Sequence, residues 1–143
     1  MTELEDRNTR NERITREFRE NGGKVGGRFE NATIVLLHTI GAKTGKERVV
    51  PLVAQPLDGG RYAIFASHGG SPTHPDWYHN LCANPQVTFE VGTRTVHATA
   101  RVAKDEERER IWSTQKRDRP YFAEYEKKTT GQIPVIVLEP ASS

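Results

Sequence analysis

The chain has 143 residues, and its 21 basic and 19 acidic side chains give a formal net charge of +2. This length predicts one domain with its own core, and the single cysteine, Cys82, cannot form an internal disulfide, which favours a reducing cytoplasm. The near-balance of charge argues against a nucleic-acid partner, because duplex-binding proteins concentrate basic charge on one face.

The N-terminal segment predicts a charged helix. Residues 8–20 have helix-favouring composition, with Ile14 and Phe18 on one face, and Asn21-Gly22-Gly23 is a typical helix end. The segment carries no secretory signal, and no aliphatic run is long enough to cross a bilayer. We therefore expect a helical part at 1–20 and a barrel domain at 21–143, in a cytoplasmic protein without stable membrane insertion.

Six segments downstream predict β-strands, because they are β-branched and aliphatic or alternate apolar with polar residues. Pro51 in the second segment lacks an N–H group and requires an edge, a bulge or a bend. The pattern predicts a mainly β (α+β) fold, an antiparallel six-stranded barrel with a few flanking helices. The predicted strands are 33–39, 48–54, 61–67, 86–91, 94–102 and 133–139, and the predicted helices are 75–83, 105–115 and 121–128.

The turn after the first predicted strand, Gly-Ala-Lys-Thr-Gly-Lys-Glu-Arg at 41–48, indicates an anion-binding site. A triphosphate loop is excluded, because Ile40 occupies the position of its first glycine and Glu47 that of its final Ser or Thr. Backbone N–H groups of a Gly-rich turn can converge on an anion, and Lys43, Lys46 and Arg48 add positive charge. A solvated hairpin is the alternative interpretation.

A second candidate is His-Pro-Asp-Trp-Tyr-His-Asn at 74–80, at the start of a predicted helix. Trp77, Tyr78 and Asn80 have the apolar surface and polar anchors that a flat conjugated ligand needs. Core packing of the two aromatic side chains is the alternative. The histidines of this region do not have a zinc-site spacing, so we expect no metal.

Three hydroxyl groups are candidates for the reacting end of a site. Ser67 follows a predicted strand but lies in no nucleophile-elbow motif, so it indicates a pocket-rim donor or a turn serine rather than a hydrolase. Tyr121 and Tyr125 share one helix face. They indicate either an acceptor pocket with a phenol as proton donor, or simple packing.

Taken together, these segments resemble the deazaflavin (coenzyme F420)-dependent nitroreductases, an actinobacterial family of split β-barrel oxidoreductases with an FMN-binding-like fold. The order and spacing of the segments are more specific than any one motif, and they extend from about Gly22 to Pro140. They are Gly-Gly-Lys-Val-Gly-Gly (22–27), Leu-Leu-His-Thr-Ile-Gly-Ala-Lys-Thr-Gly (36–45), 48–52, Ala-Ser-His-Gly-Gly (66–70), His-Pro-Asp-Trp-Tyr-His-Asn-Leu (74–81), Ala-Asn-Pro (83–85) and Ile-Pro-Val-Ile-Val-Leu-Glu-Pro (133–140).

The resemblance implies that reduced F420 passes a hydride to a quinone, a nitro-aromatic compound or an enone, while the protein supplies orientation and electrostatics. It implies that Lys43, Thr44 and Arg48 hold the phosphate and polyglutamate tail of the coenzyme. The implied catalytic residues are Ser67, Tyr121 and Tyr125. The implied cofactor-binding residues are Ala42, Lys43, Thr44, Arg48, Val49, Val50, Pro51, Leu52, Val53, Phe65, Ala66, Ser67, His68, Asp76, Trp77, Tyr78, His79 and Asn80.

The chain departs from the family pattern in two places. Phe122 aligns with a tyrosine that acts on the acceptor side, so the proton has to come from Tyr125, Ser67 or solvent, and reduction of nitroimidazoles is in question. The N-terminal helix is charged where some relatives have an apolar, membrane-touching one, which implies at most transient membrane association. Two alternatives stay open, an oxidoreductase that uses FMN and a protein that binds F420 without turnover; the chain is a monomer or a homodimer.

Overall fold

The computed structural model describes residues 7–26, 32–42, 44–66, 75–128 and 133–141. No helix in these ranges is both long and apolar enough to cross a membrane. The elements, in chain order, are α1 (Arg7–Glu20), β1 (Thr33–Ile40), β2 (Glu47–Pro56), β3 (Tyr62–Phe65), α2 (Asp76–Ala83), β4 (Gln86–Val91), β5 (Arg94–Val102), α3 (Asp105–Asp118), α4 (Tyr121–Lys128) and β6 (Val135–Pro140).

The six strands form one closed barrel in the order β1-β2-β3-β6-β5-β4, and every neighbouring pair is antiparallel. The predicted fold class, a mainly β antiparallel barrel of six strands with flanking helices, is therefore confirmed. The predicted bounds of β4, β5 and α4 agree with the structure residue for residue.

The central strand β1 is buried on both faces, which explains its uninterrupted aliphatic sequence. Val35 and Leu37 point into the barrel and pack with Phe89 of β4. Ile34 and Leu36 point outward and are covered by α1. A strand without a solvent-facing side has no reason to alternate apolar with polar residues.

Helix α1 packs on the outside of the barrel through the apolar face that the sequence predicted. Ile14 and Phe18 are buried with Ile34 and Leu36. The helix ends at Glu20, and the N–H of Gly23 donates to the Phe18 carbonyl at 2.8 Å, in the manner of a glycine-terminated helix. Burial of two large apolar side chains stabilises this docking by about 3–6 kcal/mol.

An ion-pair cluster joins the last turn of α1 to the barrel. Glu90 of β4 accepts from Arg19 Nη2 at 2.7 Å and lies 2.6 Å from His38 Nε2 of β1. On its other side the His38 ring lies 3.4 Å from Glu47. The Arg19 guanidinium, and after it the His38 imidazole, hold the pKa of the Glu90 carboxyl below its ordinary value despite partial burial.

We expect this cluster to make the stability depend on pH. A carboxyl with a lowered folded-state pKa stabilises the fold above its unfolded pKa, and this stabilisation is lost as pH falls through the folded value. Between pH 5 and pH 3 the free energy of unfolding should therefore fall less in Glu90→Gln than in the wild type. Urea titrations at both pH values measure the free energy of unfolding of each protein. An equal fall in the two proteins between pH 5 and pH 3 would contradict this expectation.

A second core lies outside the barrel, under α3 and α4. Trp112 of α3 and Phe122 of α4 pack against Phe65 of β3. The Trp112 indole N–H donates to Glu126 at 2.6 Å, so the one polar atom of this buried ring has a partner. Helices α3 and α4 are thereby fixed over the end of β3.

Candidate functional site

The barrel wall is open along one stretch of β2. This strand pairs with β1 over Glu47–Ala54, but it pairs with β3 only over Ala54–Pro56. Residues 47–53 therefore present an edge that no described strand covers. Pro51 lies on this stretch, opposite Leu36 of β1, so its missing N–H disrupts no ladder with β3. Of the edge, bulge or bend predicted for Pro51, the structure shows the edge.

A cleft of about 1580 Å³ runs along this open edge. Ligand pockets commonly measure about 300–1,000 Å³, so the cleft is large enough for an extended molecule rather than a compact one. Its sides are α1, the open edge of β2, the start of α2 and the aromatic face of α4. Four elements that are distant in sequence thus enclose one groove.

The turn between β1 and β2 contributes polar groups to the cleft lining. The N–H of Gly41 donates to the Lys46 carbonyl at 2.8 Å, and the N–H of Gly45 donates to the Gly41 carbonyl at 2.9 Å. From α2, the Asn80 side-chain oxygen accepts the Ala42 N–H at 3.0 Å. The described residues of the turn are therefore held by hydrogen bonds to one another and to α2, and an ordered backbone of this kind suits anion binding.

Arg48 adds a positive charge to the cleft lining. Its side chain lines the cleft, is solvent-exposed and makes no ion pair within the described ranges. Lys46 belongs to the same turn but does not line the cleft. An exposed guanidinium without an internal carboxylate partner is free to bind an anionic ligand in two-pronged fashion.

Another part of the cleft lining, contributed by α4, is aromatic. The rings of Tyr121 and Tyr125 have centroids 5.5 Å apart, and each also contacts Phe122, at 4.8 and 5.3 Å. Phe122 itself is only 5% exposed and contacts Phe65 at 5.5 Å. The two phenols are thus held at the cleft by packing against the buried ring of Phe122.

Most of the sequence-predicted site residues line this one cleft. Ala66 instead lies in the barrel core, and the half-buried Tyr78 packs against this core, where burial raises the pKa of its phenol. Lys43, Ser67 and His68 lie outside the described residues. Those that line the cleft are Ala42, Thr44, Arg48, Val49, Val50, Pro51, Leu52, Val53, Phe65, Asp76, Trp77, His79, Asn80, Tyr121 and Tyr125.

Sequence reasoning missed the wall contributed by α1. Most residues from Arg10 to Glu20 border the cleft, and so do Thr39 and Gly41. The apolar pair Ile14 and Phe18 predicted one apolar helix face, but nothing in a local pattern tells which barrel face that helix contacts. The contact became visible only with the three-dimensional arrangement.

The barrel fold and the cleft along its open strand edge are typical of the split-barrel oxidoreductases. The comparisons with known proteins narrow this class. The family model described as F420H(2)-dependent quinone reductase matches residues 10–140. The chain therefore belongs to the F420H(2)-dependent quinone reductase family.

Individual relatives agree with this placement. An F420H(2)-dependent quinone reductase of Mycobacterium tuberculosis (strain ATCC 25618 / H37Rv) is 38% identical over 125 residues, which is 85% of this chain and 83% of the relative. A solved F420-H2 dependent reductase (FDR-A) is 46% identical with a TM-score of 0.68, covering 74% of this chain and 93% of its own. A structure described as a domain-swapped dimer is 40% identical with a TM-score of 0.71, covering 90% and 95%. The family expected from the ordered motifs is confirmed.

Proposed function

We propose that this chain is a reductase that binds the reduced deazaflavin coenzyme F420 along the open edge of β2 and delivers its hydride to a small acceptor. One observation carries the proposal. A single cleft is lined by described residues of the Gly-rich turn together with Arg48, by the apolar edge of β2 and by the aromatic face of α4. A coenzyme with an anionic arm and a flat ring needs this combination.

The described residues fit F420 by their chemistry. Reduced F420 supplies a hydride, a two-electron equivalent, from its ring when it is bound. Arg48, Thr44 and the backbone of the turn suit a phosphate and an acidic tail. Val50, Pro51 and Leu52 offer an apolar surface against which a flat ring packs.

The acceptor side of the proposed site is the aromatic face of α4. A quinone is flat and apolar, and it stacks well against phenol rings such as those of Tyr121 and Tyr125. A phenol at the cleft can also donate the proton that accompanies hydride transfer, which makes these two residues the proposed catalytic side chains. Nitro-aromatic compounds and enones are further acceptors of the same flat, electron-poor kind.

Titration of the purified protein with F420 tests the proposal. We expect saturable binding at micromolar concentration, together with oxidation of F420H2 when menadione is added. Tight retention of FMN through purification, without F420 binding, would point instead to a flavin-dependent barrel. Binding of F420 without oxidation by any quinone would indicate a carrier protein rather than an enzyme.

Replacing Arg48 with alanine is expected to weaken F420 binding by about tenfold or more, because a charge-assisted hydrogen bond contributes about 1.5–3 kcal/mol. Lengthening the polyglutamate tail should also improve affinity less in Arg48→Ala than in the wild type. The matched control is Lys46→Ala, which removes the same charge from the same turn but from a side chain outside the cleft lining. Equal effects of the two substitutions, or an unchanged tail-length dependence, would remove Arg48 from the site.

The assembly and location of the chain belong to the same proposal. A relative that is 40% identical is a domain-swapped dimer, which favours a homodimer for this chain over a monomer. Light scattering coupled to size exclusion distinguishes the two. Cys82 is an exposed free thiol, which suits the reducing cytoplasm.

A further inference from the structure

Asn80 is one of few polar side chains that the structure buries, with 8% of its surface exposed. Its amide group spans two elements. Asn80 Oδ1 accepts the Ala42 N–H at 3.0 Å, and Asn80 Nδ2 donates to the Thr39 hydroxyl at 3.3 Å. A buried amide is costly to desolvate unless both of its ends are hydrogen-bonded, so this pair of contacts is specific.

The amide connects a rigid support to the anion-binding turn. Asn80 lies on α2, which is held in the barrel core by the buried side chains of Trp77 and Leu81. Thr39 is the penultimate residue of β1 and is 1% exposed. Ala42 lies in the turn itself, beyond the end of the strand. The side chain therefore transmits the fixed position of α2 and β1 to the turn backbone.

The other described hydrogen bonds of the turn are internal. Gly41 bonds to the Lys46 carbonyl, Gly45 to the Gly41 carbonyl, and the Thr44 hydroxyl accepts the Lys46 N–H at 3.3 Å. Such bonds keep the loop closed but do not connect it to a neighbouring element. Asn80 adds a contact between the turn and α2.

We infer that Asn80 is a positioning residue for the anionic arm of the coenzyme, acting through the backbone of Ala42. The inference rests on the proposed function. One N–H and one lone pair of the Asn80 amide are engaged within the protein. Pre-setting a loop in its bound conformation raises affinity because less ordering remains to be done on binding. Asn80 should thus affect coenzyme affinity without affecting the hydride-transfer step.

The test compares Asn80→Ala with Thr39→Val, which removes the second bond of the amide but leaves the Ala42 contact intact. In the protein without coenzyme, hydrogen exchange at the Ala42 amide should accelerate at least tenfold in Asn80→Ala and change less than threefold in Thr39→Val. The Kd for F420 should rise about tenfold in Asn80→Ala and less than threefold in Thr39→Val. With menadione as acceptor, kcat at saturating F420H2 should stay within twofold of the wild type in both.

Asn80→Ser, whose hydroxyl is too short to reach the turn, replaces the alanine variant if that one does not fold, and carries the same expectations. Unchanged Ala42 exchange, an unchanged Kd, or a fall in kcat that matches the rise in Kd would each overturn the inference. A wild-type protein that binds no F420 would overturn the proposed function instead, whereas the exchange measurement would still report whether Asn80 holds the turn.

Discussion

Replacing Gly23 with alanine is expected to lower the free energy of unfolding by roughly 2–5 kcal/mol, a range that combines backbone strain with overpacking. Gly23 has φ +96°, and a Cβ at this position would lie 2.5 Å from the Cα of Gly92 in the β4–β5 turn. The obstacle is backbone, which cannot rotate away as a long side chain can. Either the end of α1 or the β4–β5 turn has to move.

The matched control is Gly22→Ala. Gly22 also has a positive φ, +65°, but the nearest atom to a Cβ at this position would be Thr93 Cγ2 at 3.7 Å. The free energy of unfolding of this variant should fall only by the cost of holding alanine in the left-handed conformation, about 1–2 kcal/mol. Chemical denaturation of both proteins measures the difference, and equal losses would show that the contact between Gly23 and Gly92 constrains nothing.

The effect of Gly23→Ala should extend to the cleft, because α1 forms one of its walls. A displaced helix end also separates Arg19 from Glu90. We expect hydrogen exchange of α1 amides to accelerate in Gly23→Ala more than in Gly22→Ala. The comparison thereby tests whether the docking of α1 depends on this close approach.

Much of the barrel was predictable from local patterns, and its discrepancies have local causes. Strand β6 begins at Val135 rather than at Ile133, because Pro134 has no N–H and contributes only its carbonyl, which accepts the Ala66 N–H at 3.0 Å. Helix α3 continues to Asp118, beyond the predicted end at 115, and stops ahead of Pro120.

The site was less predictable than the fold. The closing of the barrel brings together the β1–β2 turn, the edge of β2, α2 and α4. No local sequence pattern shows that these elements will be neighbours. The resemblance to a known family predicted that these segments form one coenzyme site. The residue patterns alone also allowed a solvated hairpin for the turn and core packing for the aromatic side chains. Trp77 is buried in the barrel core and also lines the cleft, whereas the half-buried Tyr78 packs against this core and is not part of the cleft lining.

The position of helix α1 was likewise not predictable from the sequence. Its charged composition suggested a separate segment, and its two apolar residues indicated one apolar face. Its basic side chains gave no sign that the helix borders a ligand cleft. A surface helix and a cleft wall have the same amphipathic sequence, so the distinction is set by what lies beside the docked helix.

Replacing Phe122 with alanine is expected to lower the free energy of unfolding by about 3–5 kcal/mol, as for other buried aromatic side chains. Its ring contacts Phe65, Trp112, Tyr121 and Tyr125, with centroid distances from 4.8 to 6.1 Å. The cavity would lie directly beneath the two phenols that border the cleft. We therefore expect kcat with menadione to fall as well, because Tyr121 and Tyr125 lose the surface that orients them.

Tyr125→Phe separates packing from chemistry at this position. It keeps the ring and removes only the hydroxyl group of a half-buried side chain, so the stability loss should stay below about 1.5 kcal/mol. A large fall in kcat in this variant, with little loss of stability, would identify the Tyr125 phenol as the proton donor. Full activity in Tyr125→Phe beside a strong loss in Phe122→Ala would assign α4 a purely architectural role. Full stability and activity in Phe122→Ala would contradict the supporting role of the Phe122 ring beneath Tyr121 and Tyr125. A neighbouring side chain cannot fill so large a void without moving a cleft wall.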